Sequence, residues 1–170
     1  MSTQGEWLRI GTDHEAEKAL LDWWRSLENA RGDRAELRRC GAVMDVNLCE
    51  AFHRLRARMR PHGRHSAPRL AVAAAVLAHV REHDGAASVA AQMAARAEGS
   101  DRARVSGLRF KRLVAVEDPV MLLSPLTRVV RLLRGRANVT SLAEGILGWN
   151  QRTRTSWAYD YYDSAPRDEA

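Results

Sequence analysis

Between Ser106 and Arg136 the chain reads SGLRFKRLVAVEDPVMLLSPLTRVVRLLRGR, a stretch that commits the fold to packed helices. In its second half Leu126, Val129, Val130 and Leu133 recur at the i, i+3, i+4, i+7 spacing of an amphipathic helix. Ser124 followed by Pro125 reads as an N-cap with proline at the first helical position. Gly135 stands where a left-handed C-terminal cap is expected. The first half is built similarly: Ser106 can cap a helix whose inner face is Phe110, Leu113 and Val114. Val116-Glu117-Asp118-Pro119 reads as a break and a new start between the two.

Cations run beside and away from those apolar stripes. Arg128, Arg131 and Arg134 follow one another a turn apart, and Arg136 lies just past the end. Lys111 and Arg112 point away from the first helix's apolar side, with Arg109 at its edge. Such an array suits a polyanion.

The remaining segments repeat the helical theme. His14–Glu28 predicts a first helix, with Leu20, Trp23, Trp24 and Leu27 as its apolar face and Glu15 and Glu17 suited to its N-terminal dipole. Asp33 can cap a short basic helix over Arg34–Arg39. Asp45 or a neighbour starts another, lined by Leu48, Phe52, Leu55 and Met59. The clearest loop is Arg60–Pro68. Leu70–His83 then predicts an Ala-rich helix, small-sided enough to be the central member of a bundle. Ser88 can cap the next helix, with Val89 and Met93 inward. Ser141 and Glu144 have capping-box spacing, and Leu142, Ile146, Leu147 and Trp149 follow as an apolar face. Gly145 and Gly148 weaken that helix or admit a close neighbour. Residues 1–11 read as a loose arm carrying Trp7. Strongly alternating Val/Ile/Thr/Tyr segments are absent, so the expected class is all-α: a helical bundle of two small lobes, 1–98 and 105–170, joined through the polar Glu98–Arg104 connection.

Charge is segregated along the chain. The net charge is +6, with 27 Lys and Arg against 21 Asp and Glu. Residues 1–30 hold three cations and six anions, residues 31–136 hold 21 and 10, and residues 137–170 hold three and five. Codon bias toward Arg accounts for the scarcity of Lys but not for a basic middle between acidic ends. A basic patch draws nucleic acid by counterion release.

No catalytic constellation is present. There is no G-x-S-x-G, P-loop or dinucleotide fingerprint, and no carboxylate pair in an apolar setting. His79 and His83 share a four-residue spacing but lack a third ligand, so no metal and no cofactor are expected. Cys40 and Cys49 fit buried thiols in a reducing compartment. The polar MSTQGEWLRIG start lacks a signal-peptide core, and Leu70–Val80 is far short of a membrane span. A cytoplasmic protein is expected. Trp23, Trp24, Phe52, Phe110, Trp149 and Trp157 fall on apolar faces and are expected in the core, while Tyr159, Tyr161 and Tyr162 cluster near the end, where they could dock on a partner. Few aromatics in the basic middle imply contacts to phosphates rather than to base edges.

The order and spacing of five segments resemble the CasB family, the small subunit of the type I-E CRISPR interference complex Cascade. They are WWRSLENARGDRAELRR (Trp23–Arg39), AFHRL (Ala51–Leu55), SGLRFKRLV (Ser106–Val114), PLTRVVRLLRG (Pro125–Gly135) and WAYDYY (Trp157–Tyr162). The resemblance implies an all-helical, non-catalytic subunit. It further implies that two copies lie head to tail beside the crRNA-bearing backbone, among the other Cascade subunits, and help hold the R-loop, notably the displaced non-target DNA strand. Carried onto this sequence, it implies nucleic-acid contacts at Arg34, Arg38 and Arg39, at Arg109, Lys111 and Arg112, and at Arg128, Arg131, Arg134 and Arg136. Arg64 and Arg69 flank the loop at the corresponding place. The alternative is a helical interaction subunit docking an acidic protein partner without touching nucleic acid.

Overall fold

The computed structural model describes residues 6–167. Ten α-helices follow in order among them: α1 His14–Asn29, α2 Arg31–Arg39, α3 Val43–Val46, α4 Glu50–Met59, α5 Ala67–Leu77, α6 Val89–Ala94, α7 Gly107–Val114, α8 Leu123–Leu132, α9 Val139–Leu147 and α10 Gln151–Ser164. Short polar side chains start most of them. Asp13, Ser66, Ser88, Ser106, Asn138 and Asn150 each accept a hydrogen bond from a backbone N–H in the first turn of the helix that follows.

The Ala-rich helix is the axis of the fold. Every residue from Leu70 to Ala78 is fully buried. Small side chains let neighbours approach from all sides, and α2, α3, α4, α8 and α9 enclose α5. On one flank α1 packs on α4, tied by the Trp23 indole N–H donating to the Ala51 carbonyl at 2.9 Å. On the other, α10 packs on α6 and α7, where Phe110 stacks on Tyr161 at 4.0 Å between centroids. One continuous apolar cluster runs from Ile10 to Tyr161 and includes Trp23, Trp24, Phe52, Phe110, Trp149 and Trp157. Of the terminal tyrosines, only Tyr161 is buried; Tyr159 and Tyr162 stay exposed.

Several elements differ from the sequence expectation, each for an identifiable reason. The α5 helix ends at Leu77 rather than His83. Arg81 and Glu82 N–H groups both donate to the Gly135 carbonyl, and Glu82–His83 pairs in parallel with Arg136–Ala137 as a two-residue ladder, β1 with β2. Polar residues that could not follow α5 into the core find backbone partners there instead. Helix α8 grows out of a 3₁₀ turn over Pro119–Leu122 capped by Asp118, so Ser124 lies inside the helix and does not cap it. At its far end Arg134 and Gly135 both take positive φ, 56° and 77°. Asn138, not Ser141, caps α9; the Ser141 hydroxyl accepts instead from the Val89 N–H. Residues 151–162, which in sequence could extend the helix begun near Ser141, belong instead to a separate helix, α10, over Gln151–Ser164. Helix α2 begins at Arg31, and Asp33 within its first turn pairs with Arg54 of α4. The helix expected from Asp45 is split into α3 and α4, leaving Leu48 72% exposed in the break.

Gly145 admits the close neighbour that its sequence position suggested. A Cβ there would lie 2.4 Å from Cζ2 of Trp157. That indole also meets Trp149 edge-on at 5.0 Å, which locks α10 onto α9. Among the described residues, no helix is long and apolar enough to cross a membrane.

Candidate nucleic-acid interface

Cations from three separated parts of the sequence converge on the turn after α5. Arg34 and Arg38 stand one turn apart on α2, Arg81 closes the turn, and Arg131 comes from α8. Their proximity is electrically legible. Burial lowers the pKa of Arg34, the charges of Arg81 and Arg38 press the same way, and Glu28 opposes them. Burial pushes His79, in the same turn, down to about 4, and the nearby Arg38 and Arg131 add to the effect. Arg34 has a further feature: its Nε is buried with no hydrogen-bond partner. A buried donor without a partner is costly unless something supplies an acceptor.

Arg38, Arg81 and Arg131 are exposed, and among the described residues no carboxylate lies within ion-pair distance of them. The cluster therefore presents unneutralised charge. Arg39 is exposed at the end of α2, and Arg128 lies one turn before Arg131 on α8. Arg81 went unnoticed in the sequence because Leu70–His83 read as one helix. Its signal was its place: a cation directly after eleven residues of near-continuous apolar side chain.

The other expected contacts divide. Arg134 pairs with Glu98 at 3.1 Å, and Arg136 with Glu82 at 3.5 Å and Asp84 at 3.1 Å. The backbone N–H of Ala86 and then Arg136 hold the Asp84 carboxyl below the usual carboxylate range. Such exposed pairs are worth only about 0–1 kcal/mol, so a phosphate can compete for either arginine. Arg109, Lys111 and Arg112 are exposed on α7, whose buried Phe110 and Leu113 face α10, and they form a second basic group. Arg64 lies over the Trp7 ring at 5.4 Å. Arg69 is turned inward: its Nη1 donates to the Leu147 and Trp149 carbonyls at 2.9 and 3.0 Å. The geometry gives Arg69 a structural task at the end of α9 rather than a place on the outer surface.

The histidine pair does not form a ligand set. His79 lies in the turn after α5 and His83 on β1, so the helical i, i+4 geometry is lost. Among the described residues no group of three or more His, Cys, Asp or Glu side chains could hold a metal ion. The Cys40 and Cys49 thiols lie 3.6 Å apart, and burial raises both, Cys49 to about 12.

The half-buried imidazole of His79 has a measurable consequence. His79 titrates near 6.5 when unfolded and near 4 when folded, so the unfolded chain takes up the proton first. Its contribution to stability is whole above about pH 6.5 and is lost as pH falls from there toward 4. At full burial that shift is worth about 3 kcal/mol; solvent screening of a half-buried ring brings it nearer to about 1 kcal/mol. Thermal unfolding followed across this range should show a falling Tm, and His79→Gln should flatten part of the slope. An unchanged slope in the variant would mean that the ring titrates alike in both states.

Three comparisons bear on this arrangement. The family model of the CRISPR-associated protein Cse2 matches residues 33–162. No curated protein matches the chain. One chain of a crystal structure of E. coli Cascade bound to a PAM-containing double-stranded DNA target matches with a TM-score of 0.68 at 20% identity, over 89% of this chain and 97% of that one. At that identity the likeness is one of fold.

Proposed function

The chain belongs to the Cse2 family of CRISPR-associated proteins, whose model spans well over half of it, and from that premise we propose that it is a non-catalytic Cascade subunit stabilising the R-loop. It does so by sequence-independent contacts to phosphates, chiefly of the displaced DNA strand, with the crRNA and target backbone within its reach. The observation that carries this reading is the meeting of Arg34, Arg38, Arg81 and Arg131 at one turn without paired carboxylates. The α7 group of Arg109, Lys111 and Arg112, together with Arg39 and Arg128, extends the basic surface. Arg64, Arg134 and Arg136 add cations that an incoming phosphate can recruit.

The mechanism follows from the balance of strand exchange. Guide–target pairing supplies the sequence specificity, and the heteroduplex gained is about as stable as the duplex lost. A protein that holds the expelled strand by its phosphates opposes reannealing and tips this balance without making or breaking a covalent bond. In the assembled complex the chain works beside other Cascade subunits and a second copy of itself, in the cytoplasm.

A salt series tests this directly. Four phosphate contacts to a single strand imply a slope of log K against log salt of about −3, or a loss of roughly fiftyfold between about 50 and 200 mM. Mobility shifts with single-stranded DNA of unrelated sequences should give that slope and little sequence preference. Absent binding to any nucleic acid, or binding indifferent to salt, would favour docking on an acidic protein.

A further inference from the structure

Residues 6–10 are not a loose arm. The Leu8 N–H donates to the Arg64 carbonyl and the Arg64 N–H to the Glu6 carbonyl, both at 2.8 Å, forming a parallel bridge of Trp7 with Arg64. Gly63, at φ 141°, permits this approach, since a Cβ there would lie 2.8 Å from the Glu6 carbonyl oxygen. Asp13 and His62 meet at 3.9 Å and tie the same two segments further along. All this backbone structure holds one large side chain outward: Trp7 is 64% exposed, while the other four tryptophans are 1–6% exposed. The Arg64 guanidinium lies over the ring, and Trp7 forms one wall of a cavity of about 990 Å³ between this segment, α9 and α10.

We propose that Trp7 and Arg64 form a stacking platform for one unpaired nucleobase, with its phosphate held at the cavity rim by Arg9 and Arg152. The proposal rests on the reading that the chain binds a displaced strand, and adds a base contact to a surface otherwise suited to phosphates. The chemistry favours a nucleotide. An indole face accepts any base by stacking, and a guanidinium beside it strengthens the site. Arg9 and Arg152 line the cavity, are exposed, and have no ion pair among the described residues. Glu144 and Asp160 line it too, so the phosphate must sit nearer to the arginines than to these carboxylates. A neutral base carrying an anionic phosphate satisfies both the ring and the cations.

Because Trp7 alone among five tryptophans is exposed, quenching of the intrinsic fluorescence by an added strand reports chiefly on it. Single-stranded oligo(dT) should quench that emission and bind about tenfold more tightly than an abasic strand of the same length, the effect of stacking one base. Trp7→Ala should abolish the preference and leave abasic-strand affinity unchanged, while Trp7→Phe should keep most of it. The side chain is exposed, so both variants should keep the parent's helicity by circular dichroism. Equal affinity of the parent for both strands, or a preference surviving in Trp7→Ala, overturns the platform and leaves the phosphate reading standing. Failure to bind either strand overturns both. Quenching by an arginine-rich peptide but not by oligo(dT) overturns it in favour of a protein ligand.

Discussion

Reversing three charges, Arg38→Glu, Arg81→Glu and Arg131→Glu together, should weaken single-stranded DNA binding at least a hundredfold at low salt. The same variant should flatten the salt dependence by about two units of slope, because three of the counterion-releasing contacts are gone. The size of the loss follows from about 1 kcal/mol for each phosphate contact, with like-charge repulsion added on top. All three side chains are exposed and none has an ion-pair partner among the described residues, so removing them leaves no buried carboxylate stranded. Relief of repulsion among neighbouring arginines should leave stability equal or slightly raised. Helicity by circular dichroism should match the parent. Arg34 is left out of the set deliberately, since its partly buried guanidinium makes any fold-neutral substitution difficult.

Arg69→Met should do the opposite: it should unfold the protein more easily yet leave the DNA affinity of the folded fraction unchanged. The Arg69 guanidinium bridges the carbonyls of Leu147, the last residue of α9, and Trp149, and among the described residues neither carbonyl has another donor. A cation at a helix C-terminus also complements the helix dipole. Charge-assisted hydrogen bonds of this kind are worth about 1.5–3 kcal/mol, and stranded carbonyls cost more, so a loss near 3 kcal/mol is expected. Denaturant titration would show it as a lower midpoint with an unchanged m-value. A midpoint equal to the parent's, with weakened DNA binding, would return Arg69 to the outer surface.

These two variants separate what the sequence could and could not reveal. Amphipathic periodicity marked α1, α7 and the core of α8, because a 3.6-residue rhythm reflects one buried face and needs no knowledge of the partner. The α5 segment was legible for the opposite reason: uniform small apolar side chains have no solvent face to offer. Ends were less legible. The α5 helix stops at Leu77 because Arg81 and Glu82 bond to Gly135, a residue more than fifty positions away that no local pattern announces. Ser141 looked like a cap, yet its hydroxyl serves Val89 on α6, while Asn138 takes the capping role.

The candidate interface was half legible by the same logic. Outward arginines on α2 and α8 can be read from helical wheels, but their convergence depends on both helices packing against α5. Arg69 has the same residue type and a loop-edge position like its neighbours. Only the tertiary arrangement shows that its charge is spent on carbonyls of α9. Trp7, read as part of a loose arm, gained meaning once its backbone bridge to Arg64 was visible.

The R-loop lifetime in a reconstituted Cascade, measured with the parent chain and with the Arg38→Glu, Arg81→Glu, Arg131→Glu variant, goes to the centre of this account. With the variant retained in the complex at parental stoichiometry, R-loops should collapse about a hundredfold faster, with guide pairing itself unaltered. An unchanged lifetime at full occupancy would contradict the claim that this basic cluster holds the displaced strand.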